Sequence, residues 1–194
     1  MSGIGSICVY CGASGGVERR YLDCAAETGR VAARRGWRLV FGGGHVGLMG
    51  AMADAALAAG GTVEGVIPQA LMDRELGHAG VTRLHVVRSM HARKEMMFDL
   101  ADAFLALPGG IGTVDETIEI ITWKQLGLHD KPIAILDLGG YWAPLLNLID
   151  TVIARGFAPP ATAKLYQVAL TVEAAFEALA RAPAPALHPD SARF

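Results

Sequence analysis

Short apolar stretches alternate along the chain with longer segments in which apolar residues recur every three or four positions. The short stretches are rich in Val, Ile and Leu, and most are closely followed by Gly, Pro or Ser, which is typical of buried strands. They predict six strands, at residues 4–10, 38–41, 62–67, 84–87, 103–107 and 133–136. The longer segments predict six helices, at residues 22–35, 47–59, 90–100, 114–126, 141–155 and 172–180.

The predicted strands are apolar along their whole length, which is typical of a parallel sheet covered by helices on both faces. The alternation of strand and helix therefore predicts an α/β fold, a Rossmann-like doubly wound parallel sheet in a three-layer α/β/α sandwich. No linker or repeat interrupts the pattern, so we expect residues 1–182 to form a single domain. Residues 183–194 have repeated prolines and no periodicity, and we expect a disordered tail there.

Composition and charge narrow the classes of function. The chain has 52% hydrophobic and 19% charged residues and a formal net charge of −2, so it lacks the basic excess that nucleic-acid binding requires. Glycines interrupt its long uncharged stretches, so we expect no membrane span. No cationic segment precedes an apolar run at the N-terminus, which favours a cytoplasmic protein. The apolar excess indicates a subunit interface.

Three clusters stand out among the 24 glycines, at residues 12–16, 42–50 and 109–112. Each cluster follows a predicted strand and precedes a predicted helix. In a doubly wound sheet this is the carboxyl edge, where ligands bind and where helix N-termini attract anions. The sequence therefore predicts a site for a small ligand that carries phosphate, with Ser14, Gly43 and Gly44 among the candidate contacts.

The segment 42–47 has the spacing G-x-G-x-x-G, which is compatible with a dinucleotide site or with a tight turn before a helix. An acid about 20 residues further on should contact the ribose, but Glu64 lies at the start of its predicted strand rather than at the carboxyl end. This position argues against an oxidoreductase that uses NAD.

The segment 108–116, Pro-Gly-Gly-Ile-Gly-Thr-Val-Asp-Glu, combines glycines, a hydroxyl and two carboxylates at the start of a helix. A phosphate could bind the loop amides while an acid faces the rest of the ligand. Alternatively, Thr113 and Glu116 have the spacing of a capping box. We favour a functional acid, because a capping box does not require the preceding glycines.

The segment 89–94, Ser-Met-His-Ala-Arg-Lys, opens a predicted helix with Ser89 as N-cap. Arg93 and Lys94 would then lie close to the first turn, where cations oppose the helix dipole. They indicate an anionic ligand or acidic partner, although two solvated surface cations are the simpler alternative.

Cys8, Cys11 and Cys24 have no zinc-ligand spacing, and the histidines form no metal motif. Small buried apolar residues are the preferred interpretation of the cysteines. We therefore predict neither a metal nor a cofactor.

Five segments together resemble the Lonely Guy family of cytokinin riboside 5′-monophosphate phosphoribohydrolases. These segments are residues 8–14, 42–50, 65–68, 90–94 and 108–116, and the similarity extends to about residue 171. The resemblance implies hydrolysis of the N-glycosidic bond of cytokinin riboside 5′-monophosphates or AMP, which releases the free base and ribose 5-phosphate. It also implies a homodimer with a shared active site.

The resemblance assigns the catalytic roles to Arg93 and Glu116. It implies substrate contacts from further residues: Glu75, Lys94, Gly110, Ile111, Gly112, Thr113, Val114, Asp115 and Thr122. Ile111 and Val114-Asp115 depart from the family, which often has Tyr and Leu-Glu there, and this leaves the preferred base open.

Two other activities are weaker alternatives. Family members have been labelled lysine decarboxylases, but that chemistry usually needs pyridoxal phosphate on a lysine, and no lysine here has a recognisable setting for it. A non-catalytic nucleotide or molybdopterin carrier of the same fold would need neither Arg93 nor Glu116.

Overall fold

A computed structural model of the chain describes residues 3–73 and 77–183. Within these residues the strands are β1 (Ser6–Tyr10), β2 (Arg38–Phe41), β3 (Val63–Pro68), β4 (Arg83–Val87), β5 (Ala103–Ala106), β6 (Ile133–Leu136) and β7 (Gln167–Ala169). The α-helices are α1 (Arg19–Arg34), α2 (Gly47–Ala58), α3 (Gln69–Met72), α4 (Met90–Asp99), α5 (Ile111–Gln125), α6 (Ala143–Ala154) and α7 (Val172–Arg181).

The strands form one sheet in the order β4-β3-β2-β1-β5-β6-β7, and every neighbouring pair is parallel. The chain builds one half of the sheet outward from β1 to β4 and then returns to the centre to place β5 beside β1. The loops that follow β1 and β5 therefore leave the sheet in opposite directions and open a crevice between them. The predicted single-domain, doubly wound α/β fold is confirmed.

Alternating side chains of the central strands enter two separate apolar cores. Ile7 and Val9 of β1 face a core that includes residues of α1, α2 and α7. Cys8 and Tyr10 face the opposite core, which includes residues of α4 and α5. This division of one strand between two faces produces the three predicted layers. Cys8 and Cys11 are buried free thiols, as their assignment to the core predicts.

The six predicted strands are confirmed, each to within two residues at either end. The sequence pattern missed β7 and α3, which have only three and four residues, too few for a periodic signal. Helix α5 begins at Ile111, three residues before the predicted start, with Gly110 as an extended N-cap and Gly112 within the first turn.

Two further expectations concern the ends of the chain and membranes. The sequence predicts a disordered tail at residues 183–194, and residues 184–194 of it lie outside the described residues. Among the helices that the structure describes, none is long and apolar enough to cross a membrane.

Candidate active site

The loops that follow β1 and β5 contact each other through their backbones at the carboxyl edge of the sheet. The amide of Gly12, after β1, donates to the carbonyl of Pro108, after β5, over 3.1 Å. The Gly12 carbonyl accepts from the amide of Leu48 in α2 over 3.0 Å. A Cβ atom on Gly109 would lie only 2.8 Å from the Gly12 nitrogen, so a side chain there would push the two loops apart.

A cavity of about 430 Å³ opens beside these loops, between α4 and α5. Its volume lies within the range of small-molecule sites. Part of the lining is polar or glycine, and we call it the charged side: Gly42, Gly44, Arg93, Lys94, Gly110, Gly112, Thr113, Asp115 and Glu116. The remaining lining residues make up what we call the apolar side: Cys11, Ala13, Val46, Met49, Ile67, Leu71 and Met90. The two sets are in contact, since Nη1 of Arg93 lies 3.9 Å from Sδ of Met90.

Arg93 is held at the charged side by backbone carbonyl groups. Its Nε donates to the carbonyl of Val66 over 3.2 Å, and its Nη2 donates to that of Gly42 over 3.3 Å. A Cβ atom on Gly42 would overlap Nη2, so the guanidinium can occupy this place only because residue 42 is glycine. The third guanidinium nitrogen, Nη1, lies 3.7 Å from Oε1 of Glu116.

Glu116 projects from the second turn of α5 and is only 8% exposed. Burial raises its pKa above the ordinary value of a glutamate, while the charges of Arg93 and Lys94 act in the opposite direction. The capping-box alternative is wrong: Gly110 is the N-cap residue, and no side chain caps the helix. Glu116 therefore faces the cavity as a buried carboxyl group that titrates closer to neutral pH.

Lys94 has two carboxylate partners on α5. Its Nζ lies 2.6 Å from Oδ2 of Asp115 and 3.2 Å from Oε2 of Glu119. Burial by itself lowers the pKa of Lys94, but the hydrogen bonds to the two carboxylates outweigh it, and the net pKa is raised. Lys94 is thus an ammonium group paired with two carboxylates, which stabilise its charged form. A lysine that forms a Schiff base with pyridoxal phosphate must react as the neutral amine, so Lys94 is poorly suited to that role.

The N-terminus of α5 is the other electropositive feature of the cavity. Gly110, Gly112 and Thr113, in its cap and first turn, line the cavity. The first amides of a helix have no partner within the helix and carry the positive end of its dipole. An anion such as phosphate can bind them without help from a side-chain cation.

The structure separates the predicted site residues into groups. Most of them line the cavity, but Ser14 instead lines an adjoining cavity of about 300 Å³, which shares Ala13 and Gly110 with the first. Gly43 faces the packed side chains of Ile67 and Leu84. Val114 packs against the core, and Glu75 lies outside the described residues.

Ile111 and Thr122 lie on the outside of α5. Ile111 is 85% exposed, and the hydroxyl of Thr122 donates to the carbonyl of Ile118 within the helix. Neither residue is among those that line the larger cavity in the described part of the chain.

The apolar side of the cavity was not predicted as part of the site. Met49 and Met90 belong to the motifs at 42–50 and 90–94, and this proximity to the glycine and cationic residues is the signal that could have identified them. Ile67 ends an ordinary buried strand, and Leu71 lies in the unpredicted α3, so the sequence marks neither.

The described residues contain no group of three or more His, Cys, Asp or Glu that could hold a metal ion. Ser89 caps α4 as predicted, since its Oγ accepts from the amide of Ala92 over 3.1 Å.

The sheet topology and the cavity at its switch point define a Rossmann-like α/β protein with a small-ligand site. The family described as "Possible lysine decarboxylase" matches residues 49–179, and the chain belongs to this family. Among its relatives is a cytokinin riboside 5′-monophosphate phosphoribohydrolase of Rhodococcoides fascians, 48% identical over 90% of this chain and 88% of the relative.

Other relatives extend the comparison. Cytokinin riboside 5′-monophosphate phosphoribohydrolase LOG3 of Arabidopsis thaliana is 44% identical over 86% of this chain and 78% of its own. Among solved structures, the molybdenum cofactor carrier protein of Chlamydomonas reinhardtii has 25% identity and a TM-score of 0.65, covering 89% of this chain and 94% of that chain. The resemblance to the Lonely Guy family is confirmed by these relatives.

We expect substitution of Arg93 by Gln to raise the pKa of Glu116 further, because the nearby cation stabilises the charged carboxylate. A ¹³C NMR titration of the glutamate carboxyl groups measures this shift. Lys94→Gln serves as the control and should produce a smaller rise. An unchanged or lowered pKa in Arg93→Gln would contradict the assigned contact.

Proposed function

We propose that the protein hydrolyses the N-glycosidic bond of cytokinin riboside 5′-monophosphates, of AMP or of both, releasing the free base and ribose 5-phosphate. The observation that carries this proposal is the buried Glu116 carboxyl group beside Arg93, in a cavity that also contains the N-terminus of α5. The names of the relatives support the same reaction. Incubation with AMP, followed by chromatographic detection of adenine and ribose 5-phosphate, tests it directly.

Glu116 is the group that acts on the reacting carbon. Cleavage of the C1′–N bond leaves positive charge on the ribose ring, which an adjacent carboxylate stabilises. A water oxygen bonds to C1′ as the electron pair of the broken bond leaves with the base. The water proton passes to Glu116 and then to the base, and the pKa raised by burial makes the Glu116 carboxylate a stronger proton acceptor than an exposed glutamate.

Arg93 acts through its fixed position. The carbonyl groups of Val66 and Gly42 hold its guanidinium at the cavity wall, so its charge does not need to be reoriented during the reaction. Its charge lowers the pKa of Glu116 against the effect of burial, and it can balance negative charge that develops on the leaving base. A guanidinium retains its charge at any working pH.

The phosphate binds at the amides of residues 110–113 in this proposal. Lys94 lines the cavity, but its ammonium already contacts Asp115 and Glu119, so it is a weaker candidate for the main phosphate ligand. The α5 amides have no such competitor within the helix. Lys94 then contributes by reducing the repulsion between the phosphate and the α5 carboxylates.

The base occupies the apolar side of the cavity. Met49 and Met90 have flexible, polarisable side chains that adapt to flat rings and to apolar substituents. Ile67 and Leu71 complete this surface. It can accommodate adenine or an adenine with an apolar N⁶ substituent, so both substrates stay within the proposal.

We propose further that the protein is a homodimer with a shared active site. One side of α5, starting at the cavity rim, carries residues at the helical spacing: Ile111, Asp115, Thr122 and Leu126. Ile111 and Leu126 are large apolar residues, 85% and 64% exposed. A partner covering this side would bury them and bring Thr122 towards a second cavity, as the family resemblance implies. The cytoplasmic location stays a prediction from the sequence.

A non-catalytic carrier is the second candidate, favoured by the likeness to a molybdenum cofactor carrier protein. A carrier would use the glycine loop to bind phosphate but would gain nothing from a buried acid next to a fixed cation. Binding of AMP without release of adenine would support it over the hydrolase.

Substitution of Glu116 by Gln should preserve AMP binding and reduce kcat by about 10²–10³-fold, since one preorganised group is removed from the transition state. Steady-state kinetics and calorimetric binding measure the two effects. Glu119→Gln, on the same helix but away from the reacting carbon, is the matched control and should retain much more activity. A Glu116→Gln variant with near-normal kcat would remove Glu116 from the mechanism.

Adenosine should be a very poor substrate compared with AMP, even at saturation, because the phosphate positions C1′ beside Glu116. Charge-assisted contacts contribute about 1.5–3 kcal/mol each, so two or three of them amount to several powers of ten in kcat/KM. Parallel assays of AMP and adenosine measure this preference, and repeating them with EDTA tests whether the activity depends on a metal ion. Equal rates for the two compounds, or abolition of activity by EDTA, would contradict the site as described.

Sedimentation velocity at micromolar concentration should show a dimer, and Leu126→Glu should shift it towards monomer by burying a charge in the interface. Leu148→Glu, at an exposed leucine on α6, is the control and should leave the dimer intact. A wild-type protein that sediments only as a monomer would exclude the shared site.

A further inference from the structure

The hydroxyl group of Tyr141 contacts the glycine loop that follows β5. Tyr141 itself lies outside the five segments that carry the family resemblance. It donates to the carbonyl of Gly109 over 2.5 Å. Tyr141 lines the smaller cavity of about 300 Å³, whereas Gly110 lines both cavities. The hydrogen bond therefore fixes the peptide group that joins Gly109 to Gly110 from within the smaller cavity.

We propose that Tyr141 is a positioning residue that aims the Gly110 amide at the substrate phosphate. This inference rests on the proposed function. A trans peptide group is planar, and its C=O and N–H bonds point in opposite directions. The described residues contain no cis peptide, so a Gly109 carbonyl held by Tyr141 directs the Gly110 N–H away from Tyr141. Gly110 also lines the larger cavity, and the proposal assigns its N–H to a phosphate bound there.

The peptide group between Gly109 and Gly110 needs such a constraint more than others in the loop. Its rotation changes ψ of one glycine and φ of the next, and glycine tolerates both changes because it has no Cβ atom. Reversal would replace the Gly110 N–H with the Gly109 carbonyl, which repels a phosphate oxygen. The neighbouring Pro108 carbonyl already accepts from Gly12, so Tyr141 secures the next carbonyl along the chain.

Tyr141 is itself held firmly. Gly139 and Gly140, with φ of 65° and 79°, turn the chain after β6 and bring Tyr141 over the loop. Its ring makes edge contacts with Tyr21, at a centroid distance of 5.7 Å, and with Trp142, at 5.2 Å. A phenylalanine at position 141 would preserve these ring contacts and remove only the hydrogen bond.

The neighbouring Tyr21 supplies a matched control. Its hydroxyl accepts from Nη2 of Arg20 over 3.1 Å and has no contact with the glycine loop among the hydrogen bonds of the described residues. Tyr21→Phe therefore makes the same chemical change in the same aromatic cluster while the Gly109 carbonyl keeps its donor.

The experiment compares wild type, Tyr141→Phe and Tyr21→Phe by calorimetric binding of ribose 5-phosphate and by AMP kinetics. Loss of one hydrogen bond predicts roughly five-fold weaker binding of ribose 5-phosphate and an equal rise in KM for AMP in Tyr141→Phe. The kcat should stay within about two-fold, because the remaining phosphate contacts still position the bound nucleotide. Inhibition by adenine should also stay within about two-fold, because adenine carries no phosphate. Tyr21→Phe should match wild type.

Two results would overturn the inference. One is equal phosphate affinity in the two tyrosine variants, and the other is a fall in kcat with unchanged KM in Tyr141→Phe. Binding of ribose 5-phosphate is measured without turnover, so it judges Tyr141 separately from the reaction. A wild type that binds ribose 5-phosphate but releases no adenine from AMP would refute the proposed hydrolysis. The difference in ribose 5-phosphate binding between the two tyrosine variants would still decide the role of Tyr141.

Discussion

The contact between the loops after β1 and β5 is the constraint on which the site depends. Gly12 and Gly109 approach closely enough for the Gly12 amide to donate to the Pro108 carbonyl. This contact places the start of α5 over the centre of the sheet, beside the first turns of α4. The Arg93–Glu116 contact and the amides proposed to bind phosphate follow from that placement, because they belong to α4 and α5.

Charge balance explains why backbone groups must take part in binding an anion. Two cations, Arg93 and Lys94, face three carboxylates, Asp115, Glu116 and Glu119. These side chains alone would repel a phosphate. The dipole and free amides at the N-terminus of α5 supply the missing positive potential without adding another titratable group. Burial, and to a smaller extent the neighbouring carboxylates of Asp115 and Glu119, raise the pKa of Glu116, while Arg93 and Lys94 act in the opposite direction.

The sequence was sufficient for the fold and for most of the polar residues that line the cavity, because both depend on local pattern. Apolar strands followed by glycine predicted the sheet edge, and Arg93 and Glu116 lie where their motifs suggested. The ion pairs of Lys94 with Asp115 and Glu119 could not be predicted, because they depend on the angle at which α4 meets α5. Likewise, Tyr141 reaches the loop from another part of the chain, and nothing in its local sequence indicates that contact.

The arrangement of a bound nucleotide is the most direct test of the central claim, that α5 amides bind the phosphate while residue 116 faces C1′. A crystal structure of the Glu116→Gln variant with AMP provides it, since slow turnover preserves the substrate. We expect the phosphate on the amides of residues 110–113, C1′ beside the substituted side chain at position 116 and adenine against Met49 and Met90. A phosphate bound instead to Lys94, or a nucleotide in the reverse orientation, would contradict the account.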